Sequence, residues 1–109
     1  MTVMTLTEST LDDSLTEAPQ PLLIDFWTED CIPCRALAPV LEELAEEHSG
    51  RLRFGKVKLD NAPGLARRFE IMAIPTLIVF VDGRLARRIT EVTTKAELVR
   101  ELREFLTET

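Results

Sequence analysis

The sequence predicts an α/β domain: a central mixed β-sheet flanked by helices on both faces. Three observations carry that expectation. Apolar runs that read as strands alternate along the chain with segments whose apolar residues recur at helical spacing. One run, Leu22-Leu23-Ile24-Asp25-Phe26-Trp27, is apolar at every position except Asp25, as a strand buried on both faces requires. Later, Thr76-Leu77-Ile78-Val79-Phe80-Val81 meets Asp82-Gly83 and then a further strand-like segment, the signal of a hairpin with a primed turn.

Taken in order, Val3 to Leu6 is a short strand. Thr7 or Ser9 caps a helix to about Leu15, with Ser9-x-x-Asp12 as a capping box. Pro19 and Pro21 end that helix and mark a loop. The Leu22 to Trp27 strand follows. Leu37, Leu41, Leu44 and Ala45 then place a helix from about Cys34 to His48, with Pro33 in its first turn and Ser49-Gly50 as its stop. Pro39 lies inside it and predicts a bend between Ala36 and Pro39. Leu52 to Leu59 is a second buried strand. Asn61 caps a short helix to Phe69, with Pro63 near its start. After the Thr76–Val81 strand, Leu85 to Ile89 returns antiparallel. Thr94-x-x-Glu97 opens a last helix whose apolar face is Leu98, Val99, Leu102, Phe105 and Leu106. The order β-α-β-α-β-α-β-β-α gives a parallel sheet extended by an antiparallel hairpin.

The 109 residues suit one domain spanning 1–109, and a composition 45% apolar and 29% charged is that of a folded chain. A net charge of −6 disfavours nucleic acid, which requires a basic patch. Arg67, Arg68, Arg84, Arg87 and Arg88 are dispersed among apolar residues and read as solvated surface. No run is long and apolar enough for a membrane span, and the first residues, from Met1 to Glu8, have no basic lead or apolar core of a secretory signal. The expected compartment is the cytoplasm. There, two cysteines three apart are not expected to be a structural staple.

Those cysteines, Cys31 and Cys34, sit at the start of a helix. The spacing places both sulfurs on one side of the first turn, within reach of a disulfide. Unpaired N–H groups at a helix start stabilise a thiolate, so Cys31 is the expected nucleophile and Cys34 the resolving thiol. A zinc site is the alternative for a CxxC pair. The only other soft ligand is His48, about 20 Å away along the helix, so metal binding would require a second chain. Two inert buried cysteines are the other alternative. Asp25, a carboxylate inside an apolar strand, should have a raised pKa and lies where it can exchange a proton with Cys34. Lys56 on the neighbouring strand is its expected partner. In Ile74-Pro75-Thr76 the proline opens a strand, and residue physics alone leaves its peptide bond trans, since only about 5–6% of such bonds are cis.

Together, Asp25-Phe26-Trp27-x-x-x-Cys31-x-Pro33-Cys34, Pro39, Lys56, Ile74-Pro75-Thr76 and Asp82-Gly83 resemble the thioredoxin family over nearly the whole chain, in the family's order and spacing. The resemblance implies the thioredoxin fold and a protein-disulfide reductase. Cys31 attacks, Cys34 resolves, Asp25 assists proton transfer with Lys56 beside it, and Pro75 is cis and packs by the cysteines. It implies no bound cofactor beyond the redox-active Cys31–Cys34 disulfide, with reducing equivalents from NADPH through a flavin-containing thioredoxin reductase. Expected partners are that reductase and disulfide-containing proteins, with no nucleic acid, no membrane and a monomeric state. The substrate-facing residues are Trp27, Asp30, Ile32, Pro33, Ala73, Ile74 and Glu91.

Several of these depart from the family pattern. Asp30 and Ile32 replace the Trp and Gly of Trp-Cys-Gly-Pro-Cys, Ala73 replaces a Gly before the proline loop, and Glu91 stands near another usual Gly. Asp30 is expected to oppose the Cys31 thiolate weakly. Ile32, Ala73 and Glu91 are expected to narrow the range of partners by bulk and charge. The leading function is therefore thiol–disulfide exchange that reduces proteins. The alternatives are a dedicated electron donor to one partner enzyme and a binding module with incidental redox activity.

Overall fold

The computed structural model describes residues 3–17 and 20–106. Strand β1 (Met4–Leu6) leads to helix α1 (Leu11–Thr16), then β2 (Leu22–Trp27), α2 (Ile32–Glu47) and β3 (Arg53–Lys58). A 3-10 turn (Leu59–Asn61) precedes α3 (Pro63–Arg68), followed by β4 (Thr76–Val81), β5 (Arg84–Thr90) and α4 (Lys95–Leu106). The strands line up as β1-β3-β2-β4-β5. β1, β3 and β2 run parallel, while β4 is antiparallel to both β2 and β5. The predicted mixed sheet is present, and β2 lies at its centre.

Alternation along the strands divides the core in two. Leu23, Phe54, Leu77, Val79 and Ile89 face Leu37, Leu41 and Leu44 of α2 and Leu98, Leu102 and Leu106 of α4. Leu22, Ile24, Phe26, Val57, Ile78 and Phe80 face Leu11 and Leu15 of α1 and Leu65 of α3. Both faces of the sheet are thus covered, which explains why β2 and β4 are apolar at consecutive positions. By the same alternation Asp25 and Trp27 share the face of Leu23, under α2.

Turn chemistry holds where it was clearest. Asp82 (φ 54) and Gly83 (φ 78) both adopt positive φ, the primed turn that suits strand twist, and a bulge separates Val79 from Phe80. At α4 the Thr94 hydroxyl accepts from the Glu97 N–H at 3.1 Å, and the Glu97 carboxylate accepts from the Thr94 N–H at 3.2 Å. This is a complete capping box.

Other helix ends differ from expectation. The N-cap of α1 is Thr10, not Thr7 or Ser9, and it makes no cap bond because its hydroxyl accepts the Thr7 N–H at 2.9 Å. The Ser9–Asp12 box does not form, and Pro19 lies outside the described residues. α2 starts at Ile32 rather than Cys34, is continuous through Pro39 and ends at Glu47, with His48 as its C-cap. α3 is entered through Ala62 rather than Asn61, which closes the preceding 3-10 turn instead.

Candidate active site

The C-terminal end of the central strand β2 delivers the chain to the turn from Thr28 to Asp30, which leads into α2. Cys31 is the N-cap of that helix, in extended geometry (φ −91, ψ 110) with Pro33 in the first turn. Its Sγ accepts the Cys34 N–H at 3.1 Å, so sulfur occupies the place a Ser or Asp oxygen takes in other helices. Cys31 and Cys34 form a disulfide with their Cα atoms 5.2 Å apart. Cys34 is buried while Cys31 remains partly accessible. Attack from outside can therefore reach only one sulfur readily.

Asp25 lies beneath. It is paired across the sheet with Lys56 on β3 and Leu77 on β4, and is only 4% exposed. Its Oδ1 has no hydrogen-bond partner among the described residues. Burial pushes its carboxyl up from the usual 3.8 to about 7, against the pull of the Lys56 ammonium. A cavity of about 110 Å³ is lined by Asp25, Trp27, Cys34, Arg35, Ala38 and Lys56. It is roomy enough for water and connects the carboxyl to the resolving cysteine.

The Ile74–Pro75 bond is cis, as the resemblance implies and as residue physics alone did not indicate. Pro75 is buried, and the Thr76 hydroxyl donates to the Ala73 carbonyl at 2.5 Å, closing the loop around it. Thr76 pairs with Thr90 across β4 and β5, so Glu91 follows immediately beside this loop. Glu91 has φ 63, the left-handed region that glycine enters without cost.

The structure joins Cys31 to Cys34, and gathers Asp25, Lys56, Trp27 and Cys34 around one cavity. Ala73, Ile74 and Pro75 form one loop. Asp30, Pro33 and Ile32 are exposed around the disulfide, Ile32 at 73%. Sequence reasoning missed a second set. The Glu29 N–H donates to Asp60, the Arg35 guanidinium donates to the Glu29 carbonyl at 3.0 Å, and Lys58 Nζ sits 2.8 Å from the Glu29 carboxylate. A signal existed: Lys58 is two residues beyond Lys56, hence on the same face of β3.

The sequence profile of the Thioredoxin family matches residues 2–104. The chain belongs to the thioredoxin family. It is 41% identical over 97 residues to the thioredoxin of Mycobacterium tuberculosis strain H37Rv, covering 89% of this chain and 84% of that protein. Against the thioredoxin of Alicyclobacillus acidocaldarius it is 39% identical over 103 residues, covering 94% and 97%. It is also 38% identical over 97 residues to the bifunctional thioredoxin reductase/thioredoxin of Mycobacterium leprae, covering 89% of this chain and 21% of that protein. With its paired cysteines, this thioredoxin-family chain is a thiol–disulfide oxidoreductase that needs no bound cofactor. Among the described residues no helix is long and apolar enough to cross a membrane.

Proposed function

We propose that residues 1–109 act as one thioredoxin-like domain that reduces protein disulfides in the cytoplasm as a monomer. The observation that carries this reading is Asp25: a buried carboxyl at about 7 that shares a cavity with Cys34, directly behind an accessible Cys31. In the reduced protein the Cys31 thiolate attacks a substrate sulfur. A Cys31–substrate bond forms, the substrate disulfide breaks, and the leaving sulfur takes a proton. Asp25 then accepts the Cys34 proton, and Cys34 attacks Cys31. The Cys31–Cys34 disulfide forms, the second substrate thiol leaves, and two electrons have passed to the substrate. Lys56 favours the ionised form of Asp25 and so assists the step.

The reduced state is restored by NADPH through a thioredoxin reductase. The name of the Mycobacterium leprae relative, which couples a reductase to a thioredoxin, supports that donor. Trp27, Asp30, Ile32, Pro33, Ala73, Ile74 and Glu91 form the surface that meets the substrate, with the buried cis-Pro75 beneath the Ala73–Ile74 loop. Reduction of insulin disulfides tests the reading: wild type is active with NADPH and reductase, and Cys31→Ser is inactive. Activity that survives in Cys31→Ser overturns it. Equilibration of the pair against glutathione then gives the direction of electron flow.

A narrower role, as donor to a restricted set of partners, is favoured by the exposed Ile32 and by a glutamate at the left-handed position 91. Both add bulk or charge where a partner's backbone must approach.

A further inference from the structure

We propose that Lys58 is a positioning residue for the thiol chemistry: it holds the Glu29 carboxylate, and with it the turn that carries Cys31, and balances that acid beside the sulfur. The proposal rests on Cys31 being the nucleophile. Glu29 is two residues before Cys31 and is held at three separate points. Its N–H donates to Asp60 Oδ2 at 2.9 Å, its carbonyl accepts from Arg35 Nη2 at 3.0 Å, and its carboxylate lies 2.8 Å from Lys58 Nζ. The three partners come from the turn after β3, from α2 and from β3 itself. The last link of the turn is the weakest, the Cys31 N–H donating to the Thr28 carbonyl at 3.4 Å. Its geometry therefore depends on what fixes Glu29.

Lys58 adds a second contact, its Nζ standing 5.7 Å from the centre of the Trp27 ring. It thus spans the residue before the turn and the residue within it. A hydrogen bond and Coulomb attraction to Lys58 lower the Glu29 carboxyl, and Glu29 raises the Lys58 ammonium in return. Both stay ionised throughout the working range.

The charged groups on the elements that meet at Cys31 are Glu29 and Asp30 on the turn, Arg35 on α2, Lys58 and Lys56 on β3, Asp60 after it and Asp25 on β2. Removing the Lys58 charge leaves Arg35 as the remaining cation acting on Glu29, and the turn nearest the sulfur becomes more negative by one charge. A thiolate is disfavoured by such a change. Removing the Glu29 charge has the opposite effect, because Lys58 is then unbalanced. A role confined to stability moves neither.

The test is the pH profile of iodoacetamide alkylation of the reduced protein, which reads the Cys31 thiolate, together with fluorescence of Trp27, the only tryptophan. Lys58→Met is expected to slow alkylation at pH 7 by about two- to three-fold, a size set by exposed charge pairs. Lys58→Arg should retain the wild-type rate, Glu29→Gln should exceed it, and the double variant should return towards it. Trp27 emission should shift in Lys58→Met, and the rate differences should shrink in 1 M salt. The proposal is overturned if Lys58→Met matches wild type, if Lys58→Arg is impaired as much as Lys58→Met, or if Glu29→Gln slows the reaction. Loss of all alkylation of the wild-type thiol near neutral pH would instead count against Cys31 as nucleophile.

Discussion

The starts of α2 and α4 pose the same physical problem and answer it with different atoms. Each helix opens with N–H groups that no earlier turn can satisfy. At α4 the Thr94 hydroxyl and Glu97 carboxylate close a reciprocal box of oxygens, and Glu97 also accepts from the Thr93 N–H at 2.9 Å. At α2 a single sulfur accepts the Cys34 N–H, with no acidic residue in the first turn. The oxygen cap is saturated and inert. The sulfur cap leaves the field of the helix start directed at a group that can become a thiolate and exchange covalent partners. A helix end made for stability and one made for reactivity thus differ chiefly in the polarisability of one atom and in how completely it is satisfied.

Four substitutions sharpen that contrast. The largest effect is expected from Cys31→Ser, which converts the cap of α2 to oxygen. Insulin reduction should fall by at least about 10³-fold, while far-UV circular dichroism keeps the helix because serine is a preferred cap.

Asp25→Asn should separate chemistry from stability. Turnover should fall by about 10²-fold or more if the carboxyl transfers the proton. The carboxyl's folded pKa, about 7, exceeds its usual 3.8, so the native state binds the proton more tightly than the unfolded chain. This carboxyl's contribution to stability is thus fully present below about pH 4, falls as pH rises between the two values, and is lost above about pH 7. The shift of roughly 3 units corresponds to a penalty on the order of 4 kcal/mol. Urea unfolding should therefore show Asp25→Asn gaining up to a few kcal/mol on wild type at pH 8. At pH 4 the gain should vanish, and a gain of equal size at both would refute the assignment.

Thr94→Ala removes the hydroxyl half of the oxygen cap. It should cost about 1 kcal/mol in urea unfolding and leave insulin reduction unchanged. The smallest effect belongs to Asp30→Trp, which should lower the Cys31 pKa by less than about one unit, the range of a charge acting through water. An unchanged or higher value in the alkylation profile would show that Asp30 does not bear on the sulfur.

The order of elements was legible because each strand announces itself by burial. Leu22–Trp27 and Thr76–Val81 are apolar on both faces, and Asp82-Gly83 can turn only one way at low cost. The Thr94–Glu97 box was legible for the same reason, since both partners sit in one local window. What escaped was decided by neighbours in space. At α1 the N-cap is Thr10 rather than Ser9, and it makes no cap bond because its hydroxyl accepts the Thr7 N–H. Asn61 yielded the start of α3 to Ala62 once the 3-10 turn had formed. Asp25 was readable as an anomaly in its strand, and Cys31 and Cys34 as a spaced pair. Glu29 was not, because its three partners lie as far as 31 residues away. The cis bond before Pro75 followed from family resemblance and not from the properties of Ile-Pro itself.

The outer margins of the sheet carry one more consequence. β1 is only three residues long, and β5 presents Arg84, Arg87 and Arg88 within seven. Arg87 reaches across to Glu101 at 2.7 Å, and Arg88 donates to the Phe69 carbonyl at 2.8 Å. A foreign strand seeking to extend the sheet meets too little backbone on one side and a tethered basic fringe on the other. The sheet is thereby blunted at both margins against pairing with an extended polypeptide.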